Sequence, residues 1–253
     1  AEGTNLLFLG DSFAFGALVL PTKAFPSVVQ ARLKERFRGA DVKVANFAWV
    51  SSCPFLSLRR LEELGEKYAP DIVVECLDMT DFFDDIVTEN MLHRRGMYAL
   101  YDVLPLTLRA WHALAPDSYV RVLSWTVGGM PEQRFFHSLQ PLEQSRRFME
   151  PLLGHLRETQ AWARERGAEF VVVVLPRSYQ YSARECPQNW EKDMYVTLGP
   201  HALEAFRWFD EISPQVDFPI VSLLETFQQN QEFPTCLDDD PHWNATGHKV
   251  AAE

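Results

Sequence analysis

Ser12 stands at the end of a short apolar run, in Gly10-Asp11-Ser12-Phe13. His242 stands near the other end of the 253-residue chain, behind three successive acids in Asp238-Asp239-Asp240-Pro241-His242-Trp243-Asn244. A serine hydroxyl becomes a good nucleophile when an adjacent base takes its proton. An imidazole serves as that base when a carboxylate on its other nitrogen fixes the tautomer and stabilises the imidazolium that forms. The two segments together supply all three groups. Each alone has an ordinary alternative. Gly-Asp-Ser also suits a turn followed by a helix cap. The acidic cluster also suits a solvated loop or a divalent-cation site, since oxygen and nitrogen ligands are present. No second ligand cluster accompanies it and Pro241 stiffens the segment, so the expectation is no metal.

The elements that must position these groups follow from the apolar pattern. Short runs at Leu6–Leu9, Val42–Ala45, Ile72–Cys76, Phe170–Leu175 and Ile220–Leu223, each bounded by Pro, Gly, Asp or Asn, predict five strands. Helical periodicity lies between the early ones, at 25–37 and 55–68. Strand and helix in alternation imply a parallel sheet covered on both faces, with the ligand site at the carboxyl ends of its strands. Ser12 directly follows the first of these strands. From about Phe82 to Gly167 the alternation stops, and a long helix is expected over Leu142–Arg166. This insertion carries Tyr98, Tyr101, Trp111, Tyr119, Trp125, Phe135 and Phe136. Their bulk suffices to cover a cleft or build a helical cap, and packing against the sheet edge is the plainer reading. The chain reads as one α/β domain over 1–253 with this insertion.

The first and last segments together resemble the outer sequence blocks of the SGNH, or GDSL-type, serine hydrolases. In that family the first block supplies the serine and the last an Asp-x-x-His pair. The resemblance implies a three-layer α/β/α sandwich with a central, mostly parallel five-stranded sheet. Two middle segments fit less closely. Val44-Ala45-Asn46-Phe47-Ala48-Trp49-Val50-Ser51 is similar to the second block, an Asn followed five residues later by Gly, with Ser51 in the glycine's place. Asp78-Met79-Thr80-Asp81 is similar to the third block, Gly-x-Asn-Asp, with Thr80 in place of the asparagine. What the resemblance implies for the oxyanion is a set of donors from Ser12, Ser51 and Thr80. A backbone N–H at Ser51 survives the substitution if that residue adopts the required dihedrals. A threonine hydroxyl can donate, though it is shorter than an asparagine amide. Asp239 fits Asp-x-x-His and is placed first as the acid. Asp240 fits the Asp-x-His arrangement of some polysaccharide-modifying members, and Asp238 comes last. His248 follows in Asn-x-x-Gly-His and is expected to pack near the site. His93, His112, His137, His155 and His201 have no comparable setting.

These readings imply a serine-dependent ester hydrolase that removes a small acyl group, acetyl by family resemblance, from a carbohydrate or other small ester through an acyl-serine intermediate. The same residues would serve an acyltransferase acting on polysaccharide. A non-catalytic carbohydrate-binding protein with a degenerate oxyanion hole is the alternative from another class. Separation of Ser12 and His242 by more than about 6 Å would favour it. The chemistry calls for no cofactor.

Composition bounds the rest. The chain is 47% hydrophobic and 23% charged, ordinary for a folded protein. Its net charge of -11, without a long run of Lys or Arg, argues against a nucleic-acid partner. The longest apolar stretches fall far short of the roughly 20 residues that span a bilayer. No signal-peptide pattern opens the sequence, and 247–253 read as the start of a helix, which suggests a trimmed domain. A leader or anchor removed from the front is compatible with a periplasmic or secreted location, slightly favoured over a cytoplasmic one. Cys53, Cys76, Cys186 and Cys236 lack CxxC spacing. Cys186 and Cys236 sit in polar, Pro-flanked segments, and a disulfide between them requires the fold to bring them together.

Overall fold

The computed structural model describes residues 3–38, 41–93, 114, 131 and 133–253. The expected strands are all present: β1 (Thr4–Gly10), β2 (Val42–Asn46), β3 (Ile72–Leu77), β4 (Glu169–Val174) and β5 (Ile220–Ser222). They form one sheet in the order β2-β1-β3-β4-β5, with every neighbouring pair parallel. Leu6 of β1 is in register with Val44 of β2 and with Ile72 of β3. The strand order therefore reverses between β1 and β3, and in open α/β sheets the crevice at such a reversal, outside the carboxyl ends, is where ligands bind.

Alternation along β1 divides its side chains between two cores. Leu7 and Leu9 join Val73, Leu77, Phe170 and Val172 on one face. That face is covered by α3 (Pro54–Leu64), α4 (Asp81–His93), α6 (Leu142–Glu165) and α8 (Glu204–Ile212), with α5 (Phe136–Leu139) at the start of α6. Leu6 and Phe8 face the other way. They pack under α2 (Phe25–Arg36), α9 (Leu224–Gln229) and α10 (Ala245–Ala251). The long helix expected at the end of the insertion is α6, and its buried residues Leu142, Ser145, Met149, Leu152, Leu156, Thr159 and Ala163 recur at three- and four-residue spacing. Of the insertion's aromatics, Phe135 and Phe136 are buried in the core beneath α6 and α8. Tyr98, Tyr101, Trp111, Tyr119 and Trp125 lie outside the described residues.

Two short helices sit at the carboxyl edge of the sheet, α1 (Ser12–Phe15) after β1 and α7 (Ser178–Tyr181) after β4. The turn into α1 depends on Gly10. Its φ is 134°, and a Cβ there would lie 2.6 Å from the carbonyl oxygen of Cys76 on β3. Only glycine lets the chain leave β1 at this angle while touching its neighbour.

One core residue is out of character. Glu75, in the middle of β3, is fully buried on the α3/α6 side, where the Ser57 hydroxyl beside it only partly offsets the cost of burial. Burial pushes its carboxyl up to about 8, and the nearby charges of Asp85 and Asp11 push the same way. The folded protein thus holds a proton here that the unfolded chain, at an ordinary 4.5, releases. The stability tied to that proton is complete below pH 4.5 and is lost as pH rises through about 8. Replacing Glu75 with Gln is expected to remove this loss. Urea unfolding at several pH values across the window should show the wild type weakening relative to Glu75→Gln as pH rises, and parallel profiles would contradict a protonated buried acid.

Candidate active site

Ser12 is the first residue of α1, placed at the β1/β3 crevice by the turn at Gly10. Asp11 caps the helix, its side chain accepting the N–H of Phe13 at 2.9 Å. The other Asp11 oxygen lies 3.2 Å from Ser12 Oγ. Burial pushes the Asp11 carboxyl up to about 7, with the charge of Asp78 adding to it and Arg177 opposing.

The partner of Ser12 comes from 230 residues away. Ser12 Oγ lies 2.7 Å from Nε2 of His242. Nδ1 of the same ring lies 2.5 Å from Asp240 Oδ1, which also accepts the backbone N–H of His242 at 2.9 Å. The acid on the imidazole is therefore Asp240, the Asp-x-His member of the pair. Asp239, placed first by spacing, is exposed to solvent, as is Asp238. A turn across Pro241 brings the carboxylate two residues back onto its own histidine, a geometry that the order of the acids could not show. Trp190 donates its indole N–H to the second oxygen of Asp240 at 3.3 Å. Partial burial raises Asp240, but the His242 backbone and ring and the Trp190 indole outweigh it and hold the carboxyl below its usual range.

The loop carrying this pair is fixed at both ends. Cys236 and Trp243 form an antiparallel bridge, and Leu237 N–H donates to the His242 carbonyl at 3.0 Å. Asn244 caps α10 by accepting from Thr246 and Gly247, while its amide donates to the carbonyls of Pro234 and Cys236. Gly247 packs so closely that a Cβ would lie 2.2 Å from the Thr235 carbonyl oxygen. Phe13 lies against the His242 ring at a centroid distance of 5.0 Å.

The two middle segments reach the same crevice. Asn46 ties the loop after β2 to α1, donating to the Ala14 carbonyl at 2.9 Å and accepting from Ala48 N–H at 3.1 Å. Ser51 has φ of 60°, the left-handed conformation for which glycine is the unstrained choice. Its backbone N–H makes no backbone hydrogen bond among the described residues, and the first N–H of a helix, here that of Ser12, has no partner within the helix. Thr80 is buried after β3, with its hydroxyl donating to Asp78 Oδ2 at 2.7 Å and its N–H donating to the same oxygen at 3.1 Å. In this arrangement the hydroxyl hydrogen is already engaged.

Three residues of the site escaped the sequence reading. Arg177, after β4, is fully buried and grips Asp78 with two hydrogen bonds of 2.6 Å while a third nitrogen donates to Glu191. Its guanidinium lies 4.7 Å from the centre of the Phe13 ring. A basic residue just beyond a strand's carboxyl end, in Leu175-Pro176-Arg177, was the available signal. Trp190 and Glu191 had none, because nothing in their loop distinguishes them before folding. His248 is buried against Phe25 and Trp243, and accepts the Phe25 N–H at 3.3 Å. Burial, with the charge of His242, pushes it down to about 4. His137 meets Tyr179, His155 meets Asp85 and His201 meets Glu204. The His93 side chain and all of His112 lie outside the described residues. Among the described residues no helix is long and apolar enough to cross a membrane.

No protein-family model matches the chain, and no curated protein matches it in sequence. Solved structures match it nearly end to end. TesA shares 18% identity over 98% of this chain and 94% of its own, with a TM-score of 0.55. A catalytic mutant of Axe2, an acetylxylan esterase from Geobacillus stearothermophilus, shares 14% over 99% and 92%, also at 0.55. A candidate GDSL-like lipase from Parabacteroides merdae shares 13% over 99% and 93%, again at 0.55. The five-stranded parallel sheet with helices on both faces is thus the fold of the GDSL-type, or SGNH, hydrolases.

Proposed function

We propose that this protein is a serine-dependent ester hydrolase that removes a small acyl group, acetyl in the first instance, from a carbohydrate through an acyl-serine intermediate. The observation that carries this reading is the continuous hydrogen-bonded line from Asp240 through His242 to Ser12, with its 2.7 Å contact between base and hydroxyl. A non-catalytic binder needs no such line, and the contact is far inside the 6 Å, roughly, that would have favoured one.

In the proposed reaction His242 Nε2 takes the Ser12 proton as Oγ attacks the ester carbonyl carbon. Asp240 holds the other ring nitrogen and stabilises the imidazolium. The negative charge on the carbonyl oxygen is met by the backbone N–H groups of Ser12 and Ser51. Thr80 joins them only if its hydroxyl turns away from Asp78. The imidazolium then protonates the departing alcohol. Water, deprotonated by His242, attacks the acyl-serine and releases the acid. A sugar hydroxyl in place of that water gives the acyltransferase outcome with the same residues.

Support for a carbohydrate comes from two exposed tryptophans. Trp49 precedes Ser51 in the loop after β2, with its backbone N–H on the Gly10 carbonyl and Arg60 over one side of its ring, and Trp190 lies on Asp240. Indole faces beside the reacting groups suit stacking on sugar rings. The acetylxylan esterase among the similar folds points the same way by analogy.

Release of acetate from p-nitrophenyl acetate and from acetylated xylan tests both levels. Ser12→Ala and His242→Ala, each confirmed to be folded, should lose about 10³-fold or more in kcat/KM. Asp240→Asn should lose about 10²- to 10⁴-fold and Asp239→Asn less than about twofold. Equal rates in all variants would reject the mechanism, whereas activity on the aryl ester alone would reject the carbohydrate. The backbone donor at residue 51 has its own test. Ser51→Gly keeps the N–H and suits the positive φ, so kcat should stay within about twofold. Ser51→Pro lacks the N–H and, with φ locked at about −65°, gives up the shape of the loop as well, so it should lose about 10²-fold or more. A Gly variant as impaired as the Pro variant would mean that the serine side chain, not the backbone, matters there.

A further inference from the structure

Two loops at the carboxyl edge meet beside the Asp240–His242 pair. One follows α7 and carries Glu185, Cys186, Trp190 and Glu191. The other precedes α10 and carries Thr235, Cys236, Asp240 and His242. They are joined side chain to backbone, since the Glu185 carboxylate accepts the N–H groups of Thr235 at 2.9 Å and of Cys236 at 3.1 Å. Tyr181 spans the same junction, its hydroxyl 2.9 Å from Thr235 Oγ1 and 3.4 Å from Cys236 Sγ. At the centre of this junction Cys186, the neighbour of Glu185, and Cys236, whose N–H Glu185 accepts, lie in one buried cluster, near enough for each thiol to shift the other. Cys186 Sγ also donates to Ser178 Oγ at 3.2 Å. Both residues are buried, and both are free thiols in this structure. Cys53 and Cys76 stand apart, at the start of α3 and within β3.

We propose that Cys186 and Cys236 are a disulfide-forming pair that, once oxidised by a thiol–disulfide exchange partner, staples the Trp190 loop to the hairpin carrying Asp240 and His242. With oxidised glutathione as the donor, the Cys186 thiolate attacks one donor sulfur. That forms a mixed disulfide and releases one glutathione. Cys236 then loses its proton and attacks the Cys186 sulfur, releasing the second. The pair gives up two electrons and two protons, and the donor becomes two thiols. The local chemistry suits these roles. The Cys236 contact, opposed by burial, pulls the Cys186 thiol below its usual range, which favours it as the attacking group. The thiol of Cys236 is pushed well above the usual range by the same contact and by burial, as expected of the resolving partner. Because both sulfurs are enclosed, exchange proceeds while the loops are open, either during folding or in local openings of the native chain.

The test uses the whole chain and does not depend on turnover. The protein is incubated natively, and in parallel refolded, in oxidising and in reducing glutathione buffers. It is then alkylated and mapped by peptide mass spectrometry. The expected result in oxidising buffer, in at least the refolded arm, is one cross-linked peptide pair joining Cys186 to Cys236, with Cys53 and Cys76 alkylated. The melting temperature should rise by about 5–10 °C over the reduced form, because the cross-link closes a long loop. Cys236→Ser and Cys186→Ala should each show no difference between the two buffers. Four alkylated thiols in both arms, a cross-link that involves Cys53 or Cys76, or a cross-link without a rise in melting temperature would overturn the proposal. The wild-type comparison alone decides this if a variant fails to fold.

Discussion

The buried guanidinium of Arg177 makes the carboxyl edge of this sheet possible. Asp11, Asp78, Asp81 and Glu191 are all buried within it, close enough that Asp78 raises the other three. Arg177 places two nitrogens on Asp78 and a third on Glu191, a fork that a point charge such as lysine could not supply. Burial drives Asp78 upward, yet Arg177 and the Thr80 contacts hold it well below the usual carboxylate range. Asp81, without such a partner, is pushed well above it. Losing one member of so buried a pair typically costs about 3–5 kcal/mol. The same guanidinium lies over the Phe13 ring, and Phe13 lies against His242. Charge balance at this edge and the seating of the His242 ring therefore both lead back to one side chain.

That arrangement has a consequence at Thr80. Asp78 holds both the hydroxyl and the N–H of Thr80 because Arg177 holds Asp78 in position. The threonine is thus bound into the charge network rather than left as a free donor. Ser51 shows the opposite adjustment. It keeps the backbone shape that glycine would give, at φ 60°, and accepts the strain of an L side chain there, of order 1–3 kcal/mol. Ser51 thus leaves its N–H without a backbone partner among the described residues, where the Thr80 hydroxyl is occupied.

The hairpin between Cys236 and Trp243 works by the same economy of contacts. Asn244 caps α10 and at the same time holds the Pro234 and Cys236 carbonyls, so the helix start and the loop that presents His242 form a single unit. His248 completes it, stacked near Phe25 and at right angles to Trp243, neutral because burial holds its pKa down to about 4. Second and third contacts of this kind keep an imidazole fixed when its own hydrogen bonds number only two.

Much of this was legible in the chain itself. Apolar runs and helical spacing located the five strands and the α6 helix, because period and β-branched content depend on neighbours along the chain. Ser12 and His242 were legible because the order of blocks survives in the sequence however the chain folds. The acid was not. Asp239 and Asp240 differ by one position, and only the turn over Pro241 and the indole of Trp190, 50 residues away, select Asp240. Arg177, Glu191 and the meeting of Cys186 with Cys236 were likewise decided by tertiary structure. Each depends on loops from different strands converging at one edge of the sheet. Linear spacing carries no information about which of many polar residues will share a buried volume there. The order of elements and the candidate pair Ser12 and His242 were thus readable from the chain alone, while packing at the carboxyl edge decided what orients and surrounds them.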